Sequence, residues 1–376
     1  MIGRVPAVES VLVVGAGAAG CATAILLASA GVTVDLIDSR PTVGAVGSGI
    51  TLQGNALRVL RTLGVWEDLQ PRGYAFDGLG IRAPGPQAAL LGEVTDNRTG
   101  GPDLPATFGT YRPVLARILV ERAAAAGARI RYGTALTGVD QDATAVTAHF
   151  ADGTSGVYDL VVGADGLHST TRSAVGIDLP TTDVGMDIWR FVAPRPPSVT
   201  RTELIFGGPL FIAGFCPTGD DSLYGFLVER PQNRGDLPPA EALELVRSLA
   251  EPYHGPWDDI VASSPVNFTR FQVHLLPPPW NRGRVVLIGD ATHVCPPTVA
   301  QGAAQSLEDA AVLAELLTTR HTVDDDLWTA FTERRYERVK TVVDVSMQMC
   351  HWLLEGVRGD VPGLHARVFQ AVSHPA

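Results

Sequence analysis

The stretch SVLVVGAGAAGCATAILLASAGVTVDLID, from Ser10 to Asp38, decides the fold of this 376-residue chain. Its opening apolar residues predict a buried strand, the alanine-rich segment predicts a helix, and the final residues predict a second strand. The turn that opens the helix carries Gly15, Gly17 and Gly20. A strand, a GxGxxG turn, a helix and a strand ending in an acid are together typical of a dinucleotide-binding unit.

Each glycine of this turn has a separate physical role. Gly15 lets the chain bend sharply, Gly17 leaves room for a pyrophosphate, and Gly20 lets the helix pack closely on the strand. The pyrophosphate would lie at the helix N-terminus, where free N–H groups and the helix dipole favour negative charge. Asp38 is placed to accept hydrogen bonds from an adenosine ribose.

Two simpler interpretations of the stretch compete with a dinucleotide site. It could be an ordinary strand-turn-helix, because glycine-rich turns are common, but the acid at the expected distance favours the dinucleotide site. It could also be a membrane or signal segment, since no charged residue lies between Val11 and Val34. Glycines interrupt that run and Arg4 is the only basic residue before it, so the sequence predicts no membrane insertion.

Composition indicates a soluble globular protein with a small ligand. Hydrophobic residues make up 45% of the chain and charged residues 18%, enough for one large core or two coupled cores. The net charge of −11 argues against a nucleic-acid or anionic-membrane surface. The four cysteines are scattered without CxxC spacing, so we expect no metal site, no disulfide framework and a reducing cytoplasm.

The order of predicted elements indicates an α/β fold with an inserted β-rich domain. A glycine-rich loop after Asp38 leads into a helix, and 83–105 is predicted to be a surface loop or domain crossing. A helix starts near Pro113, short antiparallel strands occupy 135–158, and a terminal helix spans 327–354. We expect a discontinuous Rossmann-like nucleotide domain at 1–75, 105–178 and 280–325, a mostly antiparallel substrate domain at 76–104 and 179–279, and a C-terminal helical segment at 326–376.

Two further motifs lie beyond the first. DLVVGADGLHSTTR, Asp159–Arg172, ends a buried strand with an acid-glycine turn, a pattern that an ordinary strand end explains equally well. RVVLIGDATHVCPPTVAQGAAQSLEDAAVLAELL, Arg284–Leu317, places Asp290 at the carboxyl end of a strand, where open α/β sheets bind ligands. Gln301 and Gly302 then open a helix whose N–H groups would stabilise a ring that becomes anionic on reduction.

In this order the three motifs resemble those of the group A flavoprotein monooxygenases, the para-hydroxybenzoate hydroxylase-like family, over nearly the whole chain. The resemblance implies an FAD-dependent monooxygenase with NADH or NADPH as a transient electron donor. A flavin C4a-hydroperoxide would transfer oxygen from O2 to an electron-rich aromatic or related small molecule. An oxidase or reductase on the same fold, and a flavin-binding sensor without turnover, stay open as alternatives.

The resemblance also implies which residues would bind FAD. The glycine turn and Asp38 would hold the ADP half, Asp290 would bind the ribityl chain, and Pro297 would border the isoalloxazine next to the reaction. The amides of Ala303 and Ala304 would face the pyrimidine edge of that ring. The implied FAD-binding set is Gly15, Gly17, Ala18, Ala19, Gly20, Asp38, Ser39, Arg40, Ser48, Gly49, Ile50, Arg112, Asp165, Arg172, Gly289, Asp290, Pro297, Gly302, Ala303 and Ala304.

Substrate contacts are predicted on the β-rich domain. Arg190 lies between Trp189 and Phe191, and an arginine among aromatic residues needs either solvent or an anionic or phenolic partner. Tyr224 shares one face of a strand with Phe226, although a plain core residue is the simpler interpretation of each aromatic residue there. We expect Arg190 and Tyr224 to orient the substrate, whose identity the sequence does not give.

Other polar residues of the third motif are predicted to be structural. His293 is titratable and close to the proposed flavin, but a histidine among prolines more simply satisfies backbone groups. Glu308 and Asp309 are adjacent on a helix, point in different directions and serve better as anchors than as a carboxylate pair. The chain ends soon after this helix, so we do not expect the C-terminal domain of larger phenol hydroxylases or a dimer that depends on that domain. We expect a monomer or a homodimer.

Overall fold

The computed structural model describes residues 6–44, 47–95, 97–232 and 234–376, so that Ala45 and Val46 of the predicted glycine-rich loop lie outside the described residues. In chain order the strands are β1 (Ser10–Val14), β2 (Thr33–Asp38), β3 (Gly49–Gln53), β4 (Gly73–Phe76), β5 (Gly78–Arg82), β6 (Leu90–Thr95), β7 (Thr107–Tyr111), β8 (Arg129–Tyr132), β9 (Leu136–Gln141), β10 (Val146–Phe150), β11 (Ser155–Tyr158), β12 (Leu160–Gly163), β13 (Thr182–Pro194), β14 (Thr202–Phe206), β15 (Ile212–Pro217), β16 (Ser222–Glu229), β17 (Ser263–Leu275), β18 (Asn281–Arg282), β19 (Val285–Leu287) and β20 (His293–Val294). The α-helices are α1 (Ala18–Ser29), α2 (Gly54–Thr62), α3 (Trp66–Leu69), α4 (Arg112–Ala125), α5 (Thr170–Ala174), α6 (Pro239–Ala250), α7 (Gly302–Thr319), α8 (Asp325–Glu355) and α9 (Val361–Val372).

A six-stranded sheet carries all three motifs, in the order β18-β19-β12-β1-β2-β8. Strand β1 runs parallel to both β2 and β12 and is buried on both faces. Val11 and Val13 pack with α1 and α7 in one core, whereas Leu12 and Val14 pack under the antiparallel β9–β11 sheet. Burial on both faces explains the unbroken apolar run of β1, and the predicted α/β fold class is confirmed.

An eight-stranded sheet forms the β-rich part, in the order β20-β17-β13-β16-β15-β14-β5-β6. One face is covered by α6 and by a 3₁₀ turn at Gly255–Asp259, which bury Trp189 and Phe191 of β13. The alternation of a strand places Arg190 on the opposite face, where it lies directly across from Phe226 of β16. Part of this opposite face packs against α8.

Some segments differ from the sequence predictions. Residues 83–105, predicted as a surface loop or crossing, contain the edge strand β6, whose residues are all exposed and so give no strong alternation. The loop after β2 contains β3, which pairs with β7 nearly sixty residues later, a long-range pairing that no local pattern reveals. The terminal helix is α8, which contacts α7 and the eight-stranded sheet, and a separate helix, α9, packs on it. The boundaries between the nucleotide domain, the substrate domain and the C-terminal segment stay a prediction.

Candidate active site

The glycine turn of the first motif has the geometry that its sequence predicts. Gly15 adopts a φ of +103°, and a Cβ there would lie 2.4 Å from the Ala164 carbonyl oxygen. A Cβ on Gly20 would lie 1.8 Å from the Gly15 carbonyl oxygen, so α1 packs against the turn as closely as a glycine allows. A Cβ on Gly17 would meet no atom within 4 Å, which leaves open space in front of the N-terminal amides of α1.

Asp38, at the end of β2, already has a full set of hydrogen bonds. Its Oδ2 accepts from the Ala16 amide at 2.9 Å and from Nη2 of Arg40 at 2.8 Å, and its Oδ1 accepts from the Arg40 amide and Nε, both at 2.9 Å. Burial alone would raise the pKa of Asp38, but these hydrogen bonds outweigh it and hold the pKa below its usual value. A ribose would therefore reach this carboxylate by displacing the Arg40 guanidinium, whose side chain is 46% exposed.

The second motif joins the first to the third. Asp165 accepts hydrogen bonds from the hydroxyls of Ser169 and Thr171, at 2.5 and 3.0 Å, and from the Thr171 amide at 2.9 Å, which fixes the start of α5. Arg172 is buried and donates to the carbonyls of Leu167, at 2.9 Å, and Ala291, at 2.8 Å. Because Ala164 also touches Gly15, the three motifs meet at one edge of the six-stranded sheet.

Asp290 of the third motif is exposed at this edge, and within the described residues its carboxylate has no hydrogen-bond partner. Desolvation by the surrounding protein raises the pKa of Asp290 above its usual value, although His293 and Arg112 act in the opposite direction. Gly289, just before it, has a φ of +61°, and a Cβ there would lie 3.2 Å from the Cβ of Ala19 at the start of α1. Asp290 therefore lies close to the first motif.

The first turn of α7 borders the same open space. Pro297 is exposed in a short 3₁₀ turn, Pro297–Val299, and the next residue, Ala300, has a left-handed φ of +51°. A Cβ on Gly302 would meet no atom within 4 Å. Ala303 is half-buried and Ala304 is buried against the core. The turn thus directs the first amides of α7 to an open cleft.

The loop before β3 faces the cleft from the other side. The Arg112 amide donates to the Ser48 carbonyl at 3.2 Å, and the exposed Arg112 side chain lies against Gly47. Ser48 is fully buried, and its Oγ has no hydrogen-bond partner in the part of the chain that the structure describes. Ile50 of β3 pairs with Thr110 of β7. A buried hydroxyl without a partner and an exposed arginine are suited to a polar ligand.

The predicted substrate residues lie on the face of the β-rich sheet that adjoins this loop. A Cβ on Gly49 would lie 1.9 Å from the Tyr224 ring, and the Tyr224 hydroxyl lies 2.8 Å from Oγ1 of Thr51. Tyr224 is buried, so it packs the loop against the sheet. Arg190 is half-buried, donates to Oγ1 of Thr269 at 2.8 Å and forms no ion pair with any described residue. Burial lowers the pKa of Arg190 to about 10, and Tyr224 opposes that shift.

His293, Glu308 and Asp309 form the anchors that the sequence predicts. Nε2 of His293 lies 2.7 Å from Oδ2 of Asp309, and the Gly289 amide donates to the same oxygen at 2.9 Å. Sequence reasoning missed Arg335 of α8, which is fully buried and donates to Asp309 at 2.7 Å. Arg338 was also missed, and it donates to Glu308 at 2.7 and 2.8 Å. No local signal relates α8 to α7, because their contact depends on tertiary packing.

The cleft fits the FAD that the motifs imply. It offers open helix N-termini at Gly17 and Gly302, the unpartnered carboxylate of Asp290 and the unpartnered hydroxyl of Ser48. In the described ranges no helix is long and apolar enough to cross a membrane, and no His, Cys, Asp and Glu cluster could hold a metal ion. Two cavities of about 340 and 540 Å³ lie elsewhere, beside β4–β6 and between Pro278 and α8.

Comparisons with known proteins place these features in one family. The family model of the FAD binding domain matches residues 9–346. The chain is 30% identical to the putative FAD-dependent monooxygenase YetM of Bacillus subtilis (strain 168), over 93% of this chain and 95% of that protein. It is also 30% identical to 6-hydroxynicotinate 3-monooxygenase of Pseudomonas fluorescens, over 89% and 90%.

Solved structures share the fold at lower identity. A tetrameric 2-methyl-3-hydroxypyridine-5-carboxylic acid oxygenase superimposes with a TM-score of 0.80 at 22% identity, covering 97% of this chain and 96% of that one. Klebsiella pneumoniae HpxO, complexed with FAD and uric acid, gives a TM-score of 0.80 at 20% identity, covering 97% and 92%. The chain therefore belongs to the FAD binding domain family, among the FAD-dependent aromatic hydroxylases of the group A flavoprotein monooxygenases.

Proposed function

We propose that this chain hydroxylates an electron-rich aromatic small molecule with O2 and NADH or NADPH, at the junction of the cleft and the β-rich sheet. The observation that carries the proposal is the contact of Gly49 with the Tyr224 ring, where a Cβ would lie 1.9 Å from the ring. This contact brings the loop that would border a flavin directly against the face that carries Arg190. A cofactor ring and a substrate would therefore be neighbours there.

The residues of the cleft would hold FAD from its ADP end to its ring. The α1 turn at Gly15, Gly17 and Gly20 would receive the pyrophosphate, and Asp38 with Arg40 would lie at the ribose. The second motif, through Asp165 and Arg172, would support this edge. The remaining proposed contacts are Ala18, Ala19, Ser39, Ser48, Gly49, Ile50, Arg112, Gly289, Asp290, Pro297, Gly302, Ala303 and Ala304.

FAD supplies the redox chemistry when it is bound, because it takes electrons from the nicotinamide and activates O2. The chain contributes position and electrostatics. The amides of Ala303 and Ala304 and the Arg112 side chain would favour negative charge at the cleft. Arg190 is a charged donor without an ion-pair partner among the described residues, so it suits a phenolate or carboxylate on the substrate.

Tyr224 is proposed to orient the substrate through the loop at Gly49 and Thr51 as well as by direct contact. Its hydroxyl lies 2.8 Å from Oγ1 of Thr51, and its ring centroid lies 5.6 Å from that of Phe226. We further propose a cytoplasmic monomer or homodimer with no nucleic-acid or membrane partner, in line with the net charge of −11.

The test is to purify the protein with its bound flavin and to screen aromatic compounds for those that accelerate flavin reduction by NADH or NADPH. With an accelerating compound, ¹⁸O2 should place one labelled oxygen atom in the product. Reduction and peroxide release without labelled product would indicate an oxidase or reductase instead. Negligible oxygen uptake with every phenol and aromatic acid would indicate a flavin-binding sensor and refute the proposal.

A further inference from the structure

A cluster of side-chain amides lies directly behind the first turn of α7. We name Gln53, Asn55, Gln301 and Gln305 the amide cluster; Gln53 is half-buried and the other three are buried. Gln301 has no exposed surface and makes all four hydrogen bonds that a primary amide can make. Its Nε2 donates to Asn55 at 3.0 Å and to Gln53, and its Oε1 accepts from Asn55 at 3.0 Å and Gln305 at 2.9 Å.

The amide cluster holds a backbone turn in an uncommon conformation. Ala300, just before Gln301, has a φ of +51°, a left-handed conformation that residues with a side chain rarely adopt unless their surroundings fix it. Gln53 donates to the Val299 carbonyl at 3.1 Å on one side of Ala300, and the Gln301 side chain is anchored on the other. The turn between Pro297 and Gly302 is thereby fixed from within the protein.

The amide cluster is itself tied to buried charged groups. Nδ2 of Asn55 reaches Glu308 at 3.3 Å, and Nη2 of Arg335 donates to Oε1 of Gln305 at 2.8 Å. Glu308 also accepts from Arg338 at 2.7 and 2.8 Å. Elements β3, α2, α7 and α8 therefore all contribute to the position of Gln301. A helix cap that faces solvent would not need contacts from four elements of the fold.

We propose that Gln301 is a positioning residue for the flavin, because it fixes the left-handed turn at Ala300 and so aims the first amides of α7 at the cleft. Amides held in place favour a reduced, anionic ring over an oxidised, neutral ring, since no free energy is then lost in orienting them. Gln301 would thereby raise the reduction potential of the bound flavin without touching it. The proposal rests on the proposed function only in placing the flavin ring at this turn.

The experiment compares the FAD-loaded wild-type protein with Gln301→Met, which keeps the side-chain length and removes its hydrogen bonds. The midpoint potential is measured anaerobically against a reference dye, without substrate. We expect the ratio of reduced to oxidised flavin affinity to fall about ten-fold, which for a two-electron couple lowers the potential by about 30 mV. In the FAD-free protein, backbone amides of 297–306 should exchange with deuterium faster than in the wild type.

Tyr158→Phe is the matched control, because it removes a buried hydrogen bond of 2.7 Å to Asp35 on the opposite face of the six-stranded sheet. It should leave both the potential and the exchange of 297–306 unchanged. Unchanged values in Gln301→Met would overturn the proposal and make Gln301 an ordinary core residue. If Gln301→Met does not retain FAD, Gln53→Met is measured instead, and an unchanged potential there overturns the proposal equally. If the potential of Gln301→Met falls as expected but the wild-type protein hydroxylates no compound, the proposed function alone is refuted.

Discussion

Replacing Arg335 with methionine should destabilise the FAD-free protein strongly. The Arg335 side chain is completely buried, and it donates to Asp309 at 2.7 Å and to Glu308 at 3.2 Å. Removing one partner of a buried ion pair costs about 3–5 kcal/mol, because the remaining charge stays buried without full compensation. Here Asp309 keeps His293, and Glu308 keeps Arg338, so we expect a loss near the lower limit, about 3 kcal/mol.

The same variant should change how stability depends on pH. Burial raises the pKa of Asp309, but His293 and Arg335 outweigh it and hold the pKa below its usual value of 3.8. A carboxyl group with a lowered folded-state pKa contributes stability that is present above its unfolded pKa and lost as the pH falls through its folded pKa. The wild type should therefore lose unfolding free energy as the pH falls below about 4, and Arg335→Met should lose less over that range.

Urea unfolding, followed by circular dichroism at several pH values, measures both effects. Arg334→Met is the matched control, because the neighbouring Arg334 pairs with Glu315 at 2.9 Å on the surface, and an exposed pair contributes less than about 1 kcal/mol. Free energies of unfolding for the two variants that agree within about 1 kcal/mol would refute the reasoning. An Arg335→Met protein that keeps the full acid sensitivity of the wild type would refute the assignment to Asp309.

Three further predictions follow from the cleft and its supports. Gly20→Ala should lower the free energy of unfolding by about 1–3 kcal/mol, because its Cβ would lie 1.8 Å from the Gly15 carbonyl oxygen. Gly17→Ala should not lower it, because a Cβ there would meet no atom within 4 Å. Thermal unfolding of the FAD-free proteins measures both changes, and equal losses would contradict the prediction. Asp290→Asn should keep the wild-type melting temperature and bind FAD more weakly in a fluorescence titration; unchanged affinity would show that Asp290 does not contact FAD. Burial lowers the pKa of His274 from 6.5 to about 4. As the pH falls from 6.5 to 4, the unfolded chain therefore takes up a proton that the folded chain does not, and the free energy of unfolding should fall. In urea unfolding, His274→Gln should not show this pH dependence.

The first motif could be predicted because its signals are local. The apolar run of β1, the turn at Gly15 and the helix after Gly17 all lie within one stretch, and backbone sterics require a glycine at positions 15 and 20. Strand β3 was missed because its partner β7 is distant in sequence and the preceding loop is rich in glycine. Strand β6 was missed because exposure of all its residues removes the alternation that marks a strand.

The supports of the site show where sequence reasoning ends. Adjacent acids on a helix point in different directions, and the structure confirms that Glu308 and Asp309 are anchors with different main partners. Of the arginines that bind them, Arg335 and Arg338 come from α8 and Arg58 comes from α2. The register of these helices against α7 depends on packing that no spacing encodes. The partner of Asp38 is local by contrast. Arg40 lies only two residues away in the sequence, and its guanidinium donates hydrogen bonds to the Asp38 carboxylate.

The polar groups around α7 would keep its first turn rigid, as the proposed contact with the flavin requires. A helix N-terminus attracts an anion only weakly when it frays, because the first amides then turn toward water. In α7 the residues behind the first turn are fixed by the amide cluster, and the next turn is fixed by Arg335 and Arg338 of α8. The contacts that these buried charges and amides make therefore keep the first turn rigid. We expect substitutions that loosen α8 to change the reduction potential of the flavin as well as the free energy of unfolding.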